Sequence, residues 1–252
     1  AQATALATVS GLDAAHLAEA NTVAASPIVL DLNGDGVRTV AAAEGVSFDL
    51  LANGEAGQYG WVDRQDALLV RDLNGDGVIN DSTELFGTAT RLASGEAAGQ
   101  GFRALAELDG NGDGSVDGSD AGFSSLRLWV DADSDGQTDA GELRGLIDMG
   151  VASLDLGHVL SGQTDNGNAL ALVGSYTTTE GASREMVDVW FAKADDGTAP
   201  QISDLLAEAP TALPGTTTVA SAGVAAEPTM STTSLSRVSL DEELLHNQTP
   251  LI

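Results

Sequence analysis

One hexapeptide pattern, Asp-x-(Asn/Asp)-x-Asp-Gly, occurs four times in this chain: at 31–36, 72–77, 109–114 and 131–136. Each copy commits the backbone to a tight turn, because Asp and Asn side chains bond back to nearby backbone N–H groups. The closing Gly admits conformations that residues with a Cβ adopt reluctantly. Alternate residues in such a turn present oxygens to a common centre. That is how a loop wraps Ca2+, a hard cation that takes about six to eight oxygens, drawn from positions 1, 3, 5, 7, 9 and 12 of a twelve-residue frame. The implied ligand is Ca2+, with two sites expected and up to four.

The four frames differ in how they close. From Asp131 the frame runs Asp131, Asp133, Asp135, Gln137, Asp139 and Glu142, ending on a Glu able to chelate through both oxygens. From Asp109 it runs Asp109, Asn111, Asp113, Ser115, Asp117 and Asp120, with the shorter Asp at the end. From Asp72 it runs Asp72, Asn74, Asp76 and Val78, the last through its carbonyl. Position 12 is then Thr83 and the acid is Glu84, one residue late. Either this loop carries an extra residue, or Asn80 and a water replace the bidentate ligand. From Asp31 it runs Asp31, Asn33, Asp35 and Val37, position 12 is Ala42, and no local acid closes it; a remote carboxylate such as Asp49 is a candidate. Completeness falls in the order 131, 109, 72, 31. Ion-free Asp/Asn/Gly turns are the simpler alternative, and bare hairpins would also suit the 31 and 72 segments. For the 109 and 131 loops that alternative fails on electrostatics; at 131–142 five carboxylates within twelve residues repel one another without a cation among them.

The formal net charge is −28, and fourteen of the 38 acidic residues fall at the proposed loop positions. Without metal, self-repulsion should loosen the fold. Nucleic acid is excluded as a partner, because the ten cationic residues, nine Arg and one Lys, are not clustered. There is no Cys, so calcium rather than disulfides is expected to stabilise the chain. No apolar stretch approaches a membrane span of roughly 18 residues. No basic region followed by an apolar core marks the N-terminus, and the first residue is Ala1, as in a fragment or a processed chain. Calcium is abundant outside cells, which points to a secreted, extracellular or cell-surface location reached without an N-terminal signal.

The apolar pattern predicts an α+β fold of short strands and helices organised around EF-hand-like loops. Strands are expected at 28–30, 37–40, 46–49, 60–62, 68–71, 126–130, 151–156, 169–176 and 186–192. Helices are expected at 82–86, 102–108, 119–125 and 140–149, the last stopped by Gly150. Residues 1–25 read as a linker or the end of a preceding domain, and 26–194 as the calcium-binding module. Residues 195–252 form a low-complexity Thr/Ser/Ala/Pro tail, whose end at Leu240–Leu245 is either frayed or a C-terminal secretion signal. His16, His158 and His246 are isolated, and Trp61, Trp129 and Trp190 suit a core; no catalytic constellation is found.

The run from Pro27 to Val37, Gly60-Trp-Val62, the run from Leu68 to Gly87, Phe102–Leu108, the 109 and 131 loops, Gly141–Arg144 and Asp188–Ala192 occur in an order similar to a known module. Together, over about residues 26–194, they resemble the calcium-dependent self-processing module of RTX-type exported bacterial proteins. The resemblance implies a module that folds on calcium, in a protein exported by the type I secretion machinery through a C-terminal signal. It places Asp109, Asp120, Asp131 and Glu142 at the family's EF-hand-like positions. It also implies self-cleavage at an Asp-Pro bond ahead of the first loop, through an anhydride that water opens or a Lys captures. Here the matching pair is Ser26-Pro27, no Asp-Pro occurs anywhere, and Ser has no carboxylate to form the anhydride. A second departure is Asp49–Gly54, where related sequences are more acidic. The expectation is a calcium-folded module of a secreted RTX-type protein or adhesin, with a cell-surface or protein partner. The alternatives are an autocatalytic self-processing and cross-linking module, for which Ser26 would need to be Asp, and a dockerin-like interaction module.

Overall fold

Ile28-Val-Leu30, Ala67-Leu-Leu-Val70 and Arg127-Leu-Trp129 are short and almost continuously apolar, a pattern suited to strands covered on both sides rather than to a helix with one wet face. In the computed structural model, which describes residues 25–194, they form strands β1 (Ile28–Leu30), β6 (Ala67–Val70) and β8 (Arg127–Trp129). They belong to one eight-stranded, wholly antiparallel sheet in the order β7-β10-β11-β12-β1-β6-β8-β9. Its other members are β7 (Ser115–Asp117), β9 (Leu143–Gly145), β10 (Val151–Asp165), β11 (Asn168–Thr178) and β12 (Ser183–Trp190). Two small pairs complete the strands: β2 (Thr39–Val40) with β5 (Trp61–Val62), and β3 (Val46–Phe48) with β4 (Gly57–Tyr59).

Alternation along the central strands divides the core in two. Ile28, Leu30, Ala67, Leu69, Leu128 and Met186 face one side, where Phe86, Phe102, Leu105, Leu126 and Leu154 cover them. Val29, Leu68, Val70, Trp129, Val187 and Val189 face the other, beneath Phe48, Leu50, Tyr59 and Trp61 of the β2–β5 layer. Burying both faces removes the polar alternation of a half-exposed strand, which is why these segments read as plain apolar runs.

The expected α+β class is wrong. The described residues are mostly β, with one α-helix, α1 (Gly101–Ala106), and three single 3-10 turns at Ser82–Glu84, Phe123–Ser125 and Ile147–Met149. The helix expected at 140–149 is instead β9 followed by one of those turns. Ten residues interrupted by Gly141 (φ 96°) and Gly145 make a marginal helix, whereas pairing Leu143–Gly145 against Trp129–Arg127 satisfies the backbone at the sheet edge. Gly150 does end the segment in the left-handed conformation (φ 79°), but it caps a 3-10 turn. The strand expected at 151–156 runs on to Asp165 and returns as β11, with register shifts that let the long hairpin bend. Strands β4 and β7 were not anticipated.

No acidic loop lies between two α-helices. The 31 loop runs from β1 towards β2, the 72 loop from β6 into a 3-10 turn, the 109 loop out of α1, and the 131 loop from β8 to β9. Segment 115–117 of the 109 loop is itself β7, where Val116 is buried and pairs with Leu154. Expectations for residues 1–24 and for the tail from 195, including the secretion signal, His16 and His246, lie outside the described residues.

Candidate metal centre

Each loop begins with an Asp whose carboxylate accepts N–H groups from its own turn. Asp31 accepts from Gly34 (2.7 Å) and Gly36 (3.0 Å), Asp72 from Gly75 (2.7 Å) and Gly77 (2.9 Å), and Asp109 from Gly112 (2.7 Å) and Gly114 (3.0 Å). Positions 4 and 6 in these loops have positive φ, which Gly supplies without strain. In the fourth loop position 4 is Ser134, held at φ 60°, and Asp131 accepts from Asp135 (3.2 Å) and Gly136 (2.9 Å).

A second carboxylate closes each loop by spanning two of its backbone N–H groups. Glu142 accepts from Ala132 (2.9 Å) and Asp139 (3.0 Å), and Asp120 from Gly110 (2.9 Å) and Asp117 (3.0 Å). Those donors are positions 2 and 9. In the 72 loop Glu84 accepts from Leu73 (2.9 Å) and Asn80 (2.9 Å), again positions 2 and 9. The late acid therefore closes a loop with one extra residue; Asn80 serves through its N–H, and its side chain meets Asn74 at 2.8 Å.

In the 31 loop the spanning carboxylate is Asp66, which sequence reasoning missed. It accepts from Leu32 (3.3 Å) and Arg38 (2.7 Å), positions 2 and 8. Asp66 sits in the turn between β5 and β6, so strand pairing brings it across to the loop. Asp49, the remote candidate, instead caps its own turn by accepting from Asn53 (3.1 Å) and Gly54 (2.7 Å). Glu185 of β12 also enters the 31 loop, accepting the Val37 N–H at 2.9 Å. Asp31 is tied to the sheet at its carbonyl, which receives the Tyr176 hydroxyl at 2.6 Å, and Arg184 bonds the Leu32 carbonyl.

The closing acids are buried in every loop: Glu142, Asp120, Glu84 and Asp66 are each less than a tenth exposed. Burial pushes Asp131 above the ordinary carboxylate range, opposed by the Gly136 N–H, the Trp61 indole and the Asp135 N–H, and reinforced by the charge of Glu142. Asp66 is pushed up to about 7, chiefly by burial, with Arg38 and Leu32 N–H groups opposing and Asp31 and Asp63 adding repulsion. Exposed Asp113 is held low by the Ser115 and Asn111 side chains.

Carboxylate oxygens of Asp131, Asp133 and Glu142, and likewise of Asp133, Asp135 and Asp139, lie within 4.8 Å of one another, so the 131 loop can hold a metal ion. The donors are hard oxygens with no sulfur or imidazole, a set that suits Ca2+ over softer metals. Gln137 turns its side-chain amide to Asp135 at 2.9 Å. Asn74 and Asn111 point theirs to Asp76 (3.0 Å) and Asp113 (2.8 Å).

Ser26, at the position where cleavage is implied by resemblance, is buried between the sheet and Thr88. Its N–H donates to the Thr88 hydroxyl at 3.2 Å and its carbonyl accepts the Thr88 N–H at 3.2 Å. Its own hydroxyl stands beside Asp188 without completing a well-formed hydrogen bond. Asp188 is fully buried on β12, accepts the Gly101 N–H at 2.8 Å, and is pushed up to about 6 by burial. His158 stacks on Phe102 at 4.5 Å, a packing role.

The model of the SPM domain matches residues 28–192, a span that contains all four loops. The chain belongs to the SPM domain family. This SPM domain is also 48% identical over 169 residues to "Iron-regulated protein FrpA" of Neisseria meningitidis serogroup C. The match covers 66% of this chain but only 15% of that relative, so the shared region is a small part of the longer protein. No helix among the described residues is long and apolar enough to cross a membrane.

Proposed function

We propose that this SPM domain, over residues 26–194, is a calcium-binding module that folds on Ca2+ and belongs to a secreted RTX-type protein or adhesin. The observation that carries the reading is the repeated closure: in each acidic loop one buried carboxylate bridges the N–H of position 2 and that of position 8 or 9. Each such oxygen retains lone pairs for an ion. The ligand sets are Asp131, Asp133, Asp135, Gln137, Asp139 and Glu142; Asp109, Asn111, Asp113, Ser115, Asp117 and Asp120; and Asp72, Asn74, Asp76, Val78 and Glu84. The fourth is Asp31, Asn33, Asp35 and Val37, with Asp66 in the closing role. Gln137, Ser115, Val78 and Val37 serve through their carbonyls.

Binding and folding are one process in this reading. Metal-free, buried acids repel one another and resist burial; Ca2+ neutralises them and converts binding free energy into folding free energy. A chain exported unfolded through the type I secretion machinery, as the family resemblance implies, would meet high calcium only outside and fold there. The matched relative, of which the shared region is 15%, supports a module set within a longer protein.

Self-cleavage is not part of the proposal, because Ser26 supplies no carboxylate. Calcium binding measured by calorimetry, with intact-mass spectrometry on the same sample, tests both points. Bound calcium and an uncut chain are expected. Absence of binding, or a fragment beginning at Pro27, would reject the corresponding part.

A further inference from the structure

Three of the four loops hold their principal carboxylates with backbone N–H groups alone. The 131 loop does not. The Trp61 indole N–H donates to Asp131 at 2.7 Å, and the Trp129 indole N–H donates to Glu142 at 3.2 Å. We infer that Trp61 and Trp129 are positioning residues for the 131 loop, holding its first and last carboxylates in the orientation that receives Ca2+ and tying capture of the ion to packing of one face of the sheet. The inference rests on the reading of 131–142 as a calcium site.

Two observations make this more than incidental contact. In the 31, 72 and 109 loops the first Asp receives a 2.7 Å bond from the N–H of position 4, always a Gly. Asp131 receives none from Ser134; a bond of the same length comes from Trp61 instead. The indole joins the Gly136 N–H on one oxygen of Asp131 and leaves the other oxygen with only the Asp135 N–H at 3.2 Å.

The donors are also immobilised. Trp61 and Trp129 are both fully buried and meet edge-on at 5.7 Å; Phe48 packs on both, at 5.3 and 5.8 Å, and Phe191 on Trp61 at 5.5 Å. An indole has one donor and no acceptor, so its direction is set by ring packing. Trp129 comes from β8, the strand that enters the loop, but Trp61 comes from β5, so its donor reaches the loop only once the β2–β5 layer has docked on the sheet. Gly136 lies so close to β3 that an added Cβ would stand 2.9 Å from Val46. The loop is seated on this aromatic cluster rather than hung from the edge.

The test replaces Trp61 in the full chain by 3-benzothienylalanine, which keeps the fused-ring shape and substitutes sulfur for the N–H. Metal-stripped samples are titrated with CaCl2 by calorimetry, beside the unmodified chain and Glu142→Gln. Indole N–H resonances of the three tryptophans are followed by NMR, with Trp190 as internal reference. Expected are calcium-dependent shifts of the Trp61 and Trp129 resonances, and about 10–100-fold weaker binding at one site in the isostere, the usual loss for an outer partner of a ligand. Unchanged affinity in the isostere, with Glu142→Gln still abolishing a site, overturns the inference alone, as does equal weakening of every site. If Glu142→Gln removes no site from the unmodified chain, the inference and the reading beneath it both fall.

Discussion

The 131 and 31 loops begin with related acidic runs, yet one closes on itself and the other waits for the rest of the chain. Glu142 lies within the same local stretch as Asp131, and the indoles of Trp61 and Trp129 fix both carboxylates against the second core. The 31 loop borrows Asp66 from the β5–β6 turn and is tethered by Glu185, Arg184 and Tyr176 from β11 and β12. Locally closed loops can organise early, because little chain entropy is lost in bringing their ligands together. The 31 loop gains its closing carboxylate only when β1 and β6 have paired. One hexapeptide is thus closed by its own segment in one place and by a distant turn in another.

The largest effect should follow from breaking the local closure. Glu142→Gln removes the bidentate ligand, and a site bathed at 100 times its Kd contributes about 2.7 kcal/mol of stability. Loss of that order, with one fewer calcium bound, is expected from urea unfolding in saturating calcium. Full stability in this variant would remove the distinction between the loops.

A smaller loss is expected from Asp66→Asn, confined to the 31 loop. Calcium binding at the 131 loop should keep its affinity, read from the Trp129 indole resonance, while one weaker site disappears from the calorimetric trace. If Asp49→Asn removes that site and Asp66→Asn does not, the trans closure is assigned to the wrong acid. Glu84→Gln sharpens the same contrast at the 72 loop: it should delete one site, whereas Thr83→Val, at the nominal twelfth position, should leave the number of sites unchanged.

The smallest effect concerns Asp188, a buried acid outside every loop. Its pKa rises from 3.8 to about 6 on folding, so the folded state binds more protons between those values. Its contribution to stability is therefore present below about pH 4 and lost as pH rises through about 6. Asp188→Asn should gain on the unmodified chain at pH 7 relative to pH 4.5, both at saturating calcium. A difference that does not change with pH would show that Asp188 is already neutralised by its surroundings.

What could be read in the sequence was local. The four loops, the apolar runs of β1, β6, β8 and β12, and the helix after Gln100 depend on neighbours within a few residues. The closing roles of Glu142 and Asp120 follow from spacing alone, and the late Glu84 was legible as one of two options. Asp66 was not legible, because its link to Asp31 exists only through strand pairing. Strand β9 was hidden for the same reason: Leu143–Gly145 has partners only in Arg127–Trp129. The α+β expectation failed where acidic loops were taken to bring helices with them. Here strands supply most of the entering and leaving segments, and β7 is built from the 109 loop itself.

Near-UV circular dichroism of the metal-stripped chain, followed through a calcium titration, tests most directly whether calcium makes this fold. Trp61 and Trp129 touch the 131 loop and lie in the core, so their signal reports both events. Calcium should raise a weak aromatic signal to its native value over the same concentration range as the calorimetric heat, together with a large rise in Tm. A native aromatic signal and an unchanged Tm in excess chelator would contradict it.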